Sequence, residues 1–186
     1  MDKEELIGRI DVPVKTGMVA NCVALVEHFD LELNDLFDIS FHKKKEVAFR
    51  AAWMLEYIMT HRPAVFAAHV PKLLELLPAQ KNPSAMRHYT KIIAMLTDRR
   101  AVPLFQQFSK EWDFEATIAV LFTWLVEPEV LVATKVHCMQ ALANLAPRYD
   151  WIKDDLLATM DYLADIESIA FFARSKQVRK QLKKIT

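Results

Sequence analysis

Apolar residues recur at intervals of three and four along most of this chain, the spacing that places them on one face of an α-helix. The clearest example is the stretch 71–96, in which two such segments flank a short polar break that contains Pro78 and Pro83. Its apolar positions are Leu73, Leu74, Leu76 and Leu77 before the break and Met86, Tyr89, Ile92, Ile93 and Leu96 after it. The break is too short for anything but an antiparallel pair, so the stretch predicts a helical hairpin.

The rest of the chain repeats this arrangement. Prolines and residues that favour the first position of a helix mark the ends of the predicted helices. The candidate caps are Asn82 or Ser84, Asp113 and Asp150. The predicted helices are 18–37, which can break near Asp30 or Leu31, then 43–60, 64–77, 84–96, 102–110, 113–126, 130–145, 151–163 and 166–185. Consecutive helices pair into four hairpins, at 18–60, 64–96, 113–146 and 150–185.

Composition favours the same fold class. Hydrophobic residues make up 53% of the 186 residues, and the two glycines, Gly8 and Gly17, leave little room for the tight turns of β-hairpins. A chain of this length is typical of one domain and can bury a core without disulfides or metal ions. We therefore expect an all-α fold, with residues 1–17 as an N-terminal lead and linker and residues 18–186 as a single domain. Residues 2–10 of the lead are expected to be polar or weakly helical.

The hairpin also carries a family resemblance. The pattern Pro-x-Leu-Leu-x-Leu-Leu at 71–77, a short turn, and then Arg87 followed by spaced apolar residues resembles a HEAT repeat. The segment 132–145 resembles the second helix of such a repeat, with Lys135 where the family usually has arginine. Further versions begin at Arg50 and, more weakly, at Arg174. In the last of them Gln177 and Lys180 depart from the apolar pattern, which suits an exposed terminal cap.

The resemblance implies a fold for the whole chain. The second-helix cations at positions 50, 87, 135 and 174 are separated by 37, 48 and 39 residues, and the first and last intervals fit a HEAT or armadillo period. The extra helix at 102–110 accounts for the longer middle interval. The implied architecture is a right-handed α-α superhelix of about four HEAT-like hairpins, with the second helices lining one side.

These cations are the sharpest candidate for a binding site. If the hairpins stack in register, they form a basic ladder that could hold a phosphate backbone or an acidic peptide. The candidate partner-binding residues are Arg50, Arg87, Lys91, Lys135 and Arg174. The alternative is that each cation pairs with a carboxylate or a helix end at its inter-helix turn. The formal net charge of zero and the many flanking acids favour this alternative.

Charge is distributed unevenly between the two ends of the chain. Residues 1–41 hold nine acidic and three basic residues, a net charge of −6, whereas residues 171–186 hold six basic residues and no acid. Opposite charges at exposed ends could promote head-to-tail contacts or binding of a partner at one end. Solvation of the end caps, and cations at a helix C-terminus, are the alternative explanation.

The sequence contains no recognisable catalytic, cofactor-binding or metal-binding motif. There is no glycine-rich phosphate loop and no HExxH, and the histidines are scattered, although His69 and His88 lie on the two halves of one hairpin and could meet.

Cys22 and Cys138 lie in apolar helical stretches, as buried thiols of a reducing compartment do. The start of the chain is acidic, unlike a signal peptide, and the apolar segment 118–126 is too short to span a bilayer. We therefore expect a cytoplasmic protein without a membrane partner.

A second resemblance concerns short all-helical bacterial proteins, some of which are labelled adenylosuccinate lyase. Its basis is Arg50-Ala51-Ala52-Trp53, Asp150-Trp151-Ile152 and the basic last helix. Lys81-Asn82-Pro83 is also similar to the end of the flexible catalytic loop of the fumarase/aspartase superfamily. The glycine, serines and Met-Pro of that loop are missing, and the long central helices of those enzymes do not fit in this length.

Three functions follow as hypotheses. The first is a non-enzymatic helical-repeat scaffold that binds a protein partner through one face, since solenoids expose extended surfaces. The second is a nucleic-acid-binding module resembling the HEAT-like DNA alkylation repair proteins, which requires the basic ladder to be exposed. The third is a lyase, which is supported only by the segment Lys81-Asn82-Pro83. The sequence leaves the oligomeric state open.

Overall fold

The computed structural model describes residues 1–13 and 17–185, and every regular element in these two ranges is a helix. The all-α prediction is confirmed. The chain divides into two compact units, Met1–Tyr89 and Thr90–Thr186. The predicted split into a lead at 1–17 and one domain at 18–186 stays a prediction, and its linker residues 14–16 lie outside the described ranges.

The first unit is built around one long helix, α4. Its helices are α1 (Lys3–Ile10), α2 (Met18–His28), α3 (Leu33–Ile39), α4 (Lys45–His61), α5 (Pro63–Ala67) and α6 (Val70–Leu76), followed by a 3₁₀ turn (Leu77–Ala79). Helix α7 (Pro83–Leu96) begins in this unit and ends in the second. Helices α1, α2, α3 and α5 all pack against α4, so α4 is surrounded by neighbours.

The second unit has the same plan around α10. Its helices are α8 (Pro103–Glu111), α9 (Glu115–Val126), α10 (Val132–Leu145), α11 (Trp151–Leu163) and α12 (Ile169–Leu182). Helices α9, α11 and α12 all pack against α10. The helices of three predicted hairpins therefore contact each other, at 18–60, 113–146 and 150–185. The stacking of all four hairpins into a right-handed superhelix stays a prediction.

Two predicted helices are each divided in two. The helix predicted at 18–37 ends at His28 and restarts at Leu33, so the break predicted near Asp30 or Leu31 is confirmed. The helix predicted at 64–77 is instead two helices, α5 and α6. Pro71 explains this division, because it lacks an N–H to continue the helix of α5 and is best accommodated in the first turn of α6.

The weakly helical lead predicted at residues 2–10 is a well-formed helix. The carboxylate of Asp2 accepts a hydrogen bond of 2.8 Å from the amide of Glu5, which satisfies one free N–H at the start of α1. Leu6 and Ile10, four residues apart, are buried. Helix α1 therefore packs on α2, α3 and α4 as part of the first unit.

A buried pair of hydroxyls ties the end of α3 to α7. The hydroxyls of Ser40 and Tyr89 lie 2.8 Å apart, and both residues are fully buried. Gln80 donates from its side-chain nitrogen to the carbonyl of Ser40 at 3.1 Å. Burial raises the pKa of Tyr89 to about 12, so its hydroxyl is neutral at physiological pH. All three polar groups are thus hydrogen-bonded within the core, which removes most of the cost of burying them.

Asn82 is the side chain that caps α7. Its Oδ1 accepts from the amides of Ser84 at 3.0 Å and Ala85 at 3.1 Å, and its Nδ2 donates to the carbonyl of Lys45 at 3.1 Å. Pro83 occupies the first helical position, where its missing N–H costs nothing. Asp150 behaves differently, because it precedes α11 but its side chain makes no capping hydrogen bond. The predicted cap is therefore confirmed at Asn82, whereas Asp150 occupies the predicted N-cap position of α11 without the side-chain hydrogen bond.

Replacing Asn82 with alanine should lower the free energy of unfolding by about 1 kcal/mol, the usual cost of removing an N-cap side chain. Urea denaturation followed by circular dichroism measures this change. Ser84→Ala is the matched control, because Ser84 is exposed and was the other candidate cap. A larger loss from Ser84→Ala than from Asn82→Ala would contradict the assignment.

Candidate partner-binding surface

Arg50 is an interior residue of α4. Its side chain is 2% exposed, and its guanidinium donates to the carbonyl of Ile10, at the C-terminal end of α1. The free carbonyls at a helix C-terminus carry partial negative charge, so they are suitable partners for a cation. Arg50 therefore fixes the end of α1 against α4 and does not present its charge to solvent.

Lys135 is buried in the same way on α10. It is 1% exposed, and its Nζ lies 2.5 Å from Oε1 of Glu167, in the turn between α11 and α12. This is a nearly dry ion pair, in which each charge depends on the other for compensation. For Arg50 and Lys135 the alternative interpretation is thus the one that the structure supports: one cation pairs with a helix end and the other with a carboxylate at a turn.

Arg174 joins a polar network between α10 and α12. It is half-buried and donates at 3.0 Å to Oε1 of Gln140. Gln140 in turn donates to Asn144 and to Gln181, each at 2.9 Å, and Asn144 donates to the carbonyl of Ala94 at 2.9 Å. The amide groups satisfy one another across the helix interface, so Arg174 has a structural role as well as partial exposure.

The two remaining candidates lie on α7. Arg87 is exposed and Lys91 is half-buried, and each of them has an interaction partner. The boundary between the compact units falls between these two residues. Whether the five cations align as one ladder therefore stays a prediction, as does their binding of a partner.

The surroundings of α4 and α10 explain why two of the candidates are buried. The sequence predicted that the second helices line one side of the fold, with their cations facing a partner. Each of these two helices is instead packed by at least three neighbours, so little of its circumference remains for solvent. A cation at the centre of such a helix is buried and requires a partner inside the protein.

The first unit also contains a largely buried histidine–carboxylate pair. Nδ1 of His88 lies 2.6 Å from Oε2 of Glu56, and the ring of Phe49 lies 5.3 Å from the His88 ring between centroids. Nε2 of His88 is buried without a hydrogen-bond partner. His69 does not join this pair, because it packs on Phe37 with its ring centroid 6.4 Å away. The suggested meeting of His69 and His88 is therefore wrong, and no catalytic pair results.

Neither cysteine has the properties of a nucleophile. Cys22 and Cys138 are free and buried, as the sequence predicted. Burial raises the pKa of the Cys22 thiol to about 11, despite the nearby charge of Arg50, and raises that of Cys138 further. Both thiols are therefore protonated at neutral pH, whereas a reactive cysteine needs an accessible thiolate.

Four exposed apolar side chains lie close together in the sequence where α11 turns into α12. Ile169 is 90% exposed, Tyr162 68%, Ile166 63% and Phe172 47%. The opposite face of α12 packs inward through its own buried stripe, which consists of Phe171, Ser175, Val178 and Leu182. The exposed residues are thus additional to those that hold the helix in place. Neighbouring exposed apolar groups of this kind are typical of interaction sites.

Lysines continue the same outward face towards the C-terminal end of α12. The ammonium of Lys176 lies 5.2 Å above the centre of the Phe172 ring, a cation–π contact that joins the apolar and basic parts. The exposed lysines are Lys176, Lys180, Lys183 and Lys184. We call the four apolar residues and these four lysines together the α12 surface. Its chemistry suits an apolar partner that carries acidic groups.

Other kinds of site find no support in the part of the chain that the structure describes. No group of three or more histidines, cysteines or acidic residues at residues 1–13 and 17–185 could hold a metal ion. Across the same residues, no helix has the length and apolarity needed to cross a membrane. The Lys81-Asn82-Pro83 segment is explained by the capping of α7, which uses the Asn82 side chain.

Comparison with known families agrees with this architecture. Residues 6–182 match the model of a family described as HEAT repeat domain. The chain belongs to this family. The resemblance found in the sequence is therefore confirmed, and α1, which was predicted as a lead, contributes most of its length to the HEAT repeat domain. Among curated proteins and solved structures, nothing was found to match the chain.

Membership of the HEAT repeat domain family makes the chain a helical-repeat scaffold, a kind of fold often used for protein interactions. The arrangement of α4 and α10 indicates where such a scaffold can bind a partner. Helices of a repeat protein are buried by the helices next to them, so surfaces for partners remain where a helix lacks an outer neighbour. In the second unit, the outward face of α12 is such a place.

Proposed function

We propose that this HEAT repeat domain is a non-enzymatic scaffold that binds a protein partner through the α12 surface. The observation that supports this is the near-complete exposure of Ile169, at 90%, among other exposed apolar side chains. Large apolar groups gain most from burial at the centre of an interface, and a rim of lysines adds specificity for the partner.

We place this scaffold in the cytoplasm. The proposal is supported by Cys22 and Cys138, which are both free and buried. Free thiols persist where the compartment is reducing, whereas secreted domains usually oxidise theirs to disulfides.

The test compares proteins captured by tagged variants of the full chain. In the first variant, Ile169→Ser and Phe172→Ser together remove half of the exposed apolar residues of the α12 surface. The control changes Val65 and Val102 to serine, since both are exposed valines outside that surface. We expect at least one protein to be recovered in similar amounts with the wild type and with the control. The amount recovered with the α12 variant should be about tenfold lower, and the same protein should bind the purified chain directly. Recovery that is equal for all three baits would overturn the proposal.

Nucleic-acid binding is the second candidate, and the exposed lysines of α12 are the observation in its favour. Arg50 and Lys135 are buried, so they cannot contribute to a phosphate-binding ladder, and this weakens the case for nucleic-acid binding. Lys180→Glu together with Lys183→Glu should abolish duplex DNA binding if this function is correct. The affinity should also fall steeply as salt rises, because each phosphate contact releases counterions.

A further inference from the structure

The outward face of α12 has an ordered pattern along the helix axis. Its first two turns carry Ile169, Phe172 and the small residue Ala173, all exposed. Its remaining turns carry the exposed lysines, beginning with Lys176 and continuing to Lys180. A partner that buried this face would need apolar residues first and acidic residues later when read in the same direction.

Helix α2 of the first unit has that pattern. Its inner face packs through Cys22, Leu25 and Val26. Its other side presents Val19, Ala20 and Ala24, which are exposed, and the half-buried Val23. Acidic residues follow at its C-terminal end and just beyond it: Glu27, Asp30 and Glu32, all exposed. The face of α2 is therefore apolar in its first turns and acidic at its end.

We propose that the α12 surface binds the outward face of α2 from a second copy of this chain, with the two helices parallel. The proposal rests on the proposed function, namely that the α12 surface binds protein, and it names the partner. Parallel packing places the apolar turns of both helices against each other and the lysines of α12 against Asp30 and Glu32. Antiparallel packing would bury charges against apolar side chains, which costs free energy.

The dimensions of the two faces agree. At a rise of about 1.5 Å per residue, Val19 and Glu27 are about 12 Å apart along α2, and Ile169 and Lys176 are about 10 Å apart along α12. The charged ends therefore meet when the apolar ends do. The small side chains of Ala20 and Ala24 allow the partner helix to approach α2 closely.

The acidic end of α2 is only partly neutralised within its own unit. Glu27 lies 3.2 Å from the hydroxyl of Tyr57 and 3.6 Å from the guanidinium of Arg62. Asp30 and Glu32 lie beyond the helix and are exposed, so their charges are directed to solvent. Asp30 and Glu32 are therefore the acidic residues to substitute in an experiment, because their substitution leaves the contacts of Glu27 intact.

The contact is heterologous, since it joins two different faces, and a dimer therefore keeps an unused α2 face on one copy and an unused α12 surface on the other. Species larger than dimers, or a closed ring, are therefore expected as the concentration rises. One helix face on each side is smaller than the roughly 800 Å² per partner of a stable complex, so the association should be weak, with a dissociation constant of about 10–100 μM. It should also weaken with salt, because much of its specificity comes from exposed charges.

Sedimentation velocity of the purified full chain, from about 10 to about 500 μM, measures this association. The weight-average sedimentation coefficient should rise with concentration in about 0.01 M salt and stay close to the monomer value in about 1 M salt. Two charge reversals test the faces separately: Lys176→Glu with Lys180→Glu on α12, and Asp30→Lys with Glu32→Lys beyond α2. Each alone should weaken the association at least tenfold, because it sets like charges against each other.

Mixing the two reversed variants is the decisive step. The acidic α12 of one variant then meets the basic end of α2 in the other, and the unaltered faces remain complementary. Association of the mixture should return to within about threefold of the wild type. Controls with equal changes in net charge are Lys43→Glu with Lys110→Glu, and Glu127→Lys with Glu129→Lys, all at exposed positions that belong to neither face. Thermal unfolding by circular dichroism shows whether every variant is folded.

Several outcomes would overturn the proposal. A wild-type chain that stays monomeric at about 500 μM in low salt excludes self-association, while the capture experiment with the Ile169 and Phe172 variant still tests partner binding separately. Equal loss of association in the charge-matched controls would mean that net charge alone is responsible. Failure of the mixture to associate, or assembly that occurs only on anionic vesicles or duplex DNA, would exclude the pairing of α2 with α12.

Discussion

Replacing Glu167 with alanine should lower the free energy of unfolding by about 3 kcal/mol, because the change leaves the charge of Lys135 buried without its partner. Lys135 is 1% exposed and its Nζ lies 2.5 Å from the Glu167 carboxylate. An ammonium group that is removed from water needs a nearby opposite charge. Without Glu167, the folded protein must either admit water to the ammonium group or bear the free-energy cost of an uncompensated buried charge. Urea denaturation of the two proteins measures the difference.

A second substitution separates the cost of an unpaired charge from the value of the pair itself. Lys135→Met retains most of the aliphatic volume and removes the charge, so it should change stability by less than about 1 kcal/mol in either direction. Adding Lys135→Met to Glu167→Ala should then restore most of the stability that Glu167→Ala removed. A double variant that is as unstable as the sum of the two single changes would show that the residues act independently.

Replacing Arg50 with alanine should also be costly, by about 2–3 kcal/mol. The change removes a charged hydrogen bond to the carbonyl of Ile10 and a long buried side chain that packs between helices. The effect should be concentrated in α1, whose C-terminal end Arg50 holds. Hydrogen exchange of the α1 amides should therefore accelerate more than the exchange of the α10 amides, which lie in the other unit.

Arg9→Ala provides the control for this variant. Arg9 lies on α1 and pairs with Glu5 at 2.7 Å, but both side chains are exposed, with 45% and 47% of their surface in contact with solvent. A surface pair of this kind contributes less than about 1 kcal/mol. If Arg9→Ala released α1 as much as Arg50→Ala did, the special role of Arg50 would be disproved.

Periodicity and prolines were sufficient to predict most of the helices. Leu73, Leu77 and Ile92 lie where the apolar stripes placed them, in the core. The break after His28 was also predicted. Helix α1 was predicted only as a polar or weakly helical lead, because its two buried side chains, Leu6 and Ile10, are too few for a periodic signal to stand out from their charged neighbours. Such a short helix is stable only because α2, α3 and α4 pack against it.

The sequence identified Arg50 and Lys135 as special but could not show which way they face. Burial of a helix position depends on how many neighbours surround the helix, and this is decided by residues far away in the chain. Lys135 depends on Glu167, 32 residues later, and Arg50 on the end of a helix 40 residues earlier. One local signal existed for Lys135: it stands next to Thr134 and close to Cys138 within a largely apolar stretch, an uncommon setting for a solvated lysine.

The apolar half of the α12 surface was not predicted, whereas its basic residues were noted, with partner binding as one of two explanations. Ile169 and Phe172 were counted within a helix whose final residues looked like a polar cap. The helical spacing of the sequence did indicate an exposed apolar residue, since Phe171, Val178 and Leu182 form an inward stripe and Ile169 lies on the opposite side of the helix. Only the folded chain shows that no neighbouring segment covers that side in the described residues.

Lysine acetylation under native conditions, followed by mass spectrometry, tests most directly that the interior cations are structural and the α12 lysines form a surface. An amine-reactive acetylating reagent modifies amines that solvent can reach. We expect Lys176 and Lys180 to react at a rate close to that of the exposed Lys110, and Lys135 to react at least about tenfold more slowly until denaturant is added. Modification of Lys135 as fast as that of Lys180 in the folded protein would contradict the account.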